Sequence, residues 1–91
     1  MKLDKIIKEN FGTIVDVRTP AEFQGGHAAN SINIPLHEIS KRMTELEKMK
    51  TPLVLCCASG GRSAQATYIL SQHKVDCLDA GSWINIHSLQ S

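Results

Sequence analysis

Ninety-one residues, 42% hydrophobic and 21% charged, have the composition of a soluble globular protein with room for one domain and little more. A formal charge of +1 without a basic run, and four aromatics scattered as Phe11, Phe23, Tyr68 and Trp83, exclude a nucleic-acid surface. The longest apolar stretch, residues 53–58, is far too short to span a membrane.

Leu3, Ile6 and Ile7 fall at helical spacing and predict an amphipathic helix over 2–10, stopped near Asn10 and Gly12. The run Thr-Ile-Val-Asp-Val at 13–17 suits a strand covered on both faces of a parallel sheet. Thr19 as N-cap, Pro20 at the first helical position and Glu22 in the first turn open a short helix, which Gln24-Gly25-Gly26-His27 ends. Residues 31–35 read as a short strand closed by Pro35. Leu36, Ile39, Met43, Leu46 and Met49 or Lys50 recur at steps of three and four, so one helix is expected over 37–49.

Thr51-Pro52 resets the chain, and 53–56 is the next strand. Ala66, Ile69, Leu70 and His73 form the inner face of the helix that follows. Residues 75–78 are a fourth strand, and 79–83 turn into a short terminal segment. Strands alternating with helices through short connections define an α/β domain with a parallel sheet and right-handed crossovers. A single domain over 1–91 is expected, with no repeat, linker or low-complexity segment.

The three cysteines make no disulfide framework, because Cys56 and Cys57 are neighbours, Cys77 lies twenty residues on, and the number is odd. No Cys-x-x-Cys or His-x-x-x-His pair occurs, so neither a metal nor another cofactor is expected. The opening Met-Lys-Leu-Asp-Lys-Ile-Ile-Lys lacks the apolar core of a signal peptide. A reducing, cytoplasmic compartment is the expectation, with a periplasmic one as the alternative if a leader has been removed.

The most informative stretch is 53–63, Leu-Val-Leu-Cys-Cys-Ala-Ser-Gly-Gly-Arg-Ser. A strand running into a tight loop of small residues and then a helix start gathers backbone N–H groups on one point, where the helix dipole adds positive charge. A cysteine at the lip of such a cradle is held as the nucleophilic thiolate. Ligands in parallel sheets sit beyond the carboxyl ends of the strands, which is where this loop falls.

Three separate stretches now match one family. Asp16-Val-Arg18-Thr-Pro-Ala-Glu22-Phe23, Gly26-His27 and Ile32-Asn-Ile-Pro35-Leu36 resemble the amino-terminal signature of single-domain rhodaneses. Cys57-Ala-Ser-Gly-Gly-Arg62-Ser63 is similar to their active-site loop, and Leu78-Asp-Ala-Gly81-Ser-Trp83 to their closing glycine motif. The resemblance covers roughly 13–84. It implies a three-layer α/β/α fold around a mostly parallel sheet of about four or five strands. It also implies a sulfurtransferase in which Cys57 takes sulfane sulfur from a donor such as thiosulfate or a persulfide. The sulfur then passes to a thiol or cyanide-like acceptor. Ala58 stands where many members carry a basic residue, which weakens the case for thiosulfate as the preferred donor. The amino terminus looks short of an edge strand, and Ser91 leaves little room for a full closing helix.

Cys56 competes with Cys57 for the nucleophile. Cys56-x5-Arg-Ser is the phosphatase loop pattern, whereas the Cys57 register is Cys-x4-Arg. The glycine expected three residues on is Gly60 counted from Cys57 and is replaced by Ser59 counted from Cys56; Leu55 stands where the phosphatase histidine would be. Cys57 is therefore the expected nucleophile, and Cys56 a small buried strand residue.

Ala58, Ser59, Gly60, Gly61, Arg62 and Ser63 are the expected substrate-binding loop. Arg62 is expected to lower the Cys57 pKa and to hold a sulfonate with its planar fork. Ser59 and Ser63 are candidate donors to a persulfide, with helix capping the equal reading for Ser63. Asp16 and Arg18 are read as supports, Arg18 paired with Glu22 and Asp16 accepting loop amides. His27 reads as a packed turn residue, the other histidines as surface, Cys77 as core, and Trp83 as packed against the last helix. Two alternatives to the enzyme stand: a sulfur carrier dedicated to a sulfur-accepting protein, and a Cys-dependent phosphatase or arsenate reductase.

Overall fold

Successive side chains of a strand point to opposite faces of its sheet, so two neighbouring strand residues belong to different layers of the molecule. In the computed structural model, which describes residues 2–90, four parallel strands carry this alternation: β1 (Thr13–Asp16), β2 (Ile32–Asn33), β3 (Leu53–Cys57) and β4 (Cys77–Ser82). Their order is β2-β1-β3-β4, with Val15 beside Leu55 and Asp16 beside Cys56. Both faces are covered, which is why Ile14 and Val15 of β1 and every residue of β3 are apolar.

One face packs Val15, Leu53, Leu55 and Cys57 against Ile39, Met43, Leu46, Ala66 and Leu70. The other packs Ile14, Val54 and Cys56 against Ile6, Ile7, Ala28, Ala80 and Ile86. The helices on the first face are α3 (Met43–Glu47) and α4 (Gly61–Gln72); α1 (Leu3–Lys8) and α5 (Trp83–Gln90) lie on the second. A short α2 (Pro20–Gln24) leads from β1 to β2. The three-layer α/β/α expectation is met with four strands. Cys56 and Cys57, adjacent in sequence, are buried on opposite faces.

Local chemistry accounts for the boundaries. The first helix ends at Lys8, earlier than expected, because Asn10 (φ 54°) and Gly12 (φ 75°) leave the helical region. The expected helix over 37–49 is divided into a 3-10 turn (Leu36–Glu38) and α3, with non-helical φ and ψ at Arg42. The apolar stripe survives the break, since Ile39, Met43 and Leu46 are all buried. Arg42 spans the break by donating to Glu38 and Glu45. His73 is exposed rather than on the inner face of α4, where Ser63, Ala66 and Leu70 are the buried positions.

The largest departure is at the carboxyl end. The fourth strand runs to Ser82 rather than stopping at 78, and an eight-residue helix follows instead of a short segment. Leu55 pairs with Asp79 but Cys56 with Gly81, so β4 carries an extra residue, and Gly81 adopts φ 75°. A glycine bulge of this kind bends a strand without ending it, and the turn-like composition of 79–82 is that bulge.

Candidate active site

Cys57 is the last residue of β3, and α4 starts four residues later at Gly61. Gly60 makes the corner with φ 109°. Its amide donates to the Cys57 sulfur at 3.0 Å, and the Ser63 amide donates at 3.4 Å. The Ser63 hydroxyl lies 3.5 Å from the same sulfur. Burial pushes the Cys57 thiol up. The amides of Ser63, Gly60 and Ser59 act against burial, as does the Ser63 hydroxyl when it donates to the sulfur, and the thiol lies below its usual range. Cys56 has the opposite fate: burial, and then the Asp16 carboxylate, push it up to about 12. Of the two cysteines, Cys57 is the one that the loop amides address.

The charged residues are paired differently from expectation. Arg62 donates both arms of its fork to Glu22, at 2.7 and 3.0 Å, and its charge also interacts with the Cys57 sulfur. Arg18 pairs with Asp16 and not with Glu22: its Nε lies 3.0 Å from both carboxylate oxygens and its Nη2 2.8 Å from Oδ2. Asp16 accepts the Arg18 amide at 3.0 Å rather than amides of the cysteine loop. The reason is position. Asp16 sits at the end of β1 on the Cys56 face, whereas the Cys57 loop opens toward α4. Arg18 also donates to the Gly26 carbonyl at 2.7 Å and lies 5.0 Å from the Trp83 ring centre. Trp83 thus opens the last helix and covers the Asp16–Arg18 pair.

Glu22 does two things. It closes a capping box with Thr19 at the start of α2, and it receives Arg62. Arg62 first, and then the Thr19 amide, hold its carboxyl down at about 2. Ala58, Ser59 and Gly61 lie on the exposed lip of the loop. His27 stacks on Phe23 at 3.7 Å, and His37, His73 and His87 are exposed. Cys77 is half-buried, its sulfur 3.6 Å from the Thr67 carbonyl. Asp79, which no local pattern marks as a site residue, accepts the Ser63 hydroxyl at 2.6 Å.

A buried cysteine under converging amides, at the carboxyl edge of a parallel sheet and at a helix start, is an arrangement that can hold a thiolate and receive a small anionic group. The sequence model described as "Rhodanese-like domain" matches residues 2–87, and the chain belongs to that family. It is 42% identical over 59 residues to a sulfurtransferase of Allochromatium vinosum, an alignment covering 65% of this chain and 54% of that protein. It is 39% identical over 59 residues to the thiosulfate sulfurtransferase PspE of Escherichia coli, covering 64% and 57%. The matched segment thus spans about half the length of these curated relatives. Among solved structures, a rhodanese-related protein from Thermoplasma volcanium superposes with a TM-score of 0.73 at 39% identity, over 84% of this chain and 75% of the other.

Proposed function

We propose that this chain is a sulfurtransferase that carries sulfane sulfur on Cys57. The Cys57 thiolate attacks the outer sulfur of a donor such as thiosulfate. The sulfur–sulfur bond of the donor breaks, sulfite leaves with its electron pair, and Cys57 holds a persulfide. A thiolate or cyanide then attacks the terminal sulfur, and the Cys57 thiolate leaves. No net oxidant or reductant is consumed. The observation that carries this reading is the Gly60 amide 3.0 Å from the Cys57 sulfur, with Ser63 behind it. Such fixed donors favour a charged sulfur at little reorganisation cost. The name of the Escherichia coli relative supports thiosulfate as a donor to try.

The test is direct. Incubation with thiosulfate should add one sulfur atom to the intact mass, and cyanide should then remove it as thiocyanate. An aryl phosphate should not be hydrolysed. Rapid phosphate release with no sulfur loading would overturn the proposal and favour the phosphatase reading.

A second reading concerns the donor. Arg62 is already held by Glu22, and Ala58 adds only a methyl group, so the lip presents little free positive charge to a dianion. This arrangement supports a persulfide donor and a sulfur-accepting protein. Loading by an alkyl persulfide, which carries at most one negative charge, should then exceed loading by the thiosulfate dianion at equal concentration.

A further inference from the structure

The Ser63 hydroxyl has one hydrogen and three acceptors around it. Asp79 Oδ1 lies at 2.6 Å, the Gly60 carbonyl at 3.1 Å and the Cys57 sulfur at 3.5 Å. While Cys57 is a thiol, Asp79 is the charged acceptor of the three, and a short O–H···O⁻ bond is the strongest of these contacts. The same Oδ1 accepts the Gly81 amide at 2.9 Å, so the β4 bulge fixes the carboxylate in this position. With its hydrogen on Asp79, Ser63 turns lone pairs toward the sulfur. It then accepts from the Cys57 thiol and has nothing to donate to a thiolate.

We propose that Asp79 is a positioning residue that sets the ionisation of Cys57 by withholding the Ser63 hydrogen from its sulfur. The loop amides favour the thiolate in any case, because their hydrogens are fixed. The Ser63 hydroxyl is the adjustable donor, and Asp79 keeps it turned away. A thiol attacks disulfide-type sulfur best when its pKa stays near the ambient pH, since nucleophilicity falls as pKa falls. Asp79 thus limits how far the amides depress the thiol. The other charged or titratable groups near Cys57 are Arg62 on α4 with its Glu22 partner from α2, and Cys56, backed by Asp16 and Arg18 from the β1 end. None of these contacts the Ser63 hydroxyl.

The inference rests on Cys57 being the reacting thiol, but its test reads ionisation and not sulfur transfer, so the two proposals fail separately. The measurement is the pH dependence of Cys57 alkylation by iodoacetamide, resolved by peptide mass. Wild type, Asp79→Asn, Asp79→Ala, Ser63→Ala and the double variants are compared. Both Asp79 variants should lower the midpoint by about one pH unit. Ser63→Ala should leave the wild-type midpoint nearly unchanged, yet raise it by a similar amount in either Asp79 variant. If Ser63→Ala raises the midpoint equally in all backgrounds, Ser63 already donates to the sulfur and the proposal fails. It fails also if the Asp79 shift persists in full without Ser63, because Asp79 then acts only as a charge through space.

Discussion

Arg62 and Glu22 meet fork to fork across forty residues of chain, with nitrogen–oxygen distances of 2.7 and 3.0 Å. The pair joins the first turn of α4 to the first turn of α2 at the rim of the cysteine loop. A bidentate pair of this kind takes up the guanidinium face that an oxyanion would use. An anionic donor must therefore compete with Glu22 for Arg62.

Glu22→Gln should reveal this competition. Glutamine retains the reach needed for the capping box with Thr19, so α2 should remain folded. The loss of charge should free Arg62 and lower KM for thiosulfate by about 3-fold, the modest effect expected on releasing a solvent-screened pair. Steady-state thiocyanate formation measures it, and an unchanged or higher KM would show that Glu22 does not restrain donor binding. The Glu22 carboxyl is depressed from 4.5 to about 2 by Arg62, so the pair's contribution is present above pH 4.5. It is lost as the pH falls toward 2.

The two adjacent cysteines should behave oppositely. Cys57→Ser should abolish sulfur loading by thiosulfate, read by intact mass. Cys56→Ala should retain most of it, because the Cys56 thiol lies on the other face and is held protonated. Loading that follows Cys56 instead would restore the Cys-x5-Arg register and with it the phosphatase reading.

The sheet, its parallel sense and the cysteine loop were legible because each rests on local pattern: uninterrupted β-branched runs, and small residues between a strand and a helix. The Thr19–Glu22 capping box was legible for the same reason. What local pattern does not carry is partnership. Asp16 and Glu22 are both near Arg18 in sequence, and only the alternation of faces along β1 assigns Asp16 to it. Ser63 and Asp79 are sixteen residues apart, with no periodicity linking them. The composition Asp-Ala-Gly-Ser reads as a turn, and only pairing with β3 makes it a bulged strand.

The Asp16–Arg18 pair is a stability element. Their side chains are 0% and 6% exposed, and Trp83 closes over the guanidinium. Asp16→Leu strands a buried cation and should cost about 3–5 kcal/mol. A second change, Arg18→Met, should recover much of that loss, because the uncompensated charge is then gone. Urea unfolding of the single and double variants checks this. A double variant no more stable than Asp16→Leu alone would show that the loss came from packing and not from charge.

The pH response of Cys57 should report the loop geometry. Its pKa is depressed below the ordinary 9.0, so the thiolate contributes stability above the unfolded value, lost as the pH falls through the folded one. Alkylation and sulfur loading should fall over that same lower window. Gly60→Ala is the variant that tests the cause. A Cβ there would meet Gly81 Cα at 3.6 Å, an ordinary contact, so space is not the obstacle. The obstacle is φ 109°, which costs an alanine about 1–2 kcal/mol and is relieved by rotating the Ser59–Gly60 peptide. That rotation swings the Gly60 amide off the sulfur. The alkylation midpoint should rise toward 9.0, and loading at a fixed pH below the new midpoint should slow by about tenfold, the equivalent of one pH unit. A Gly60→Ala protein that is folded by circular dichroism and keeps the wild-type midpoint would show that this amide does not hold the thiolate.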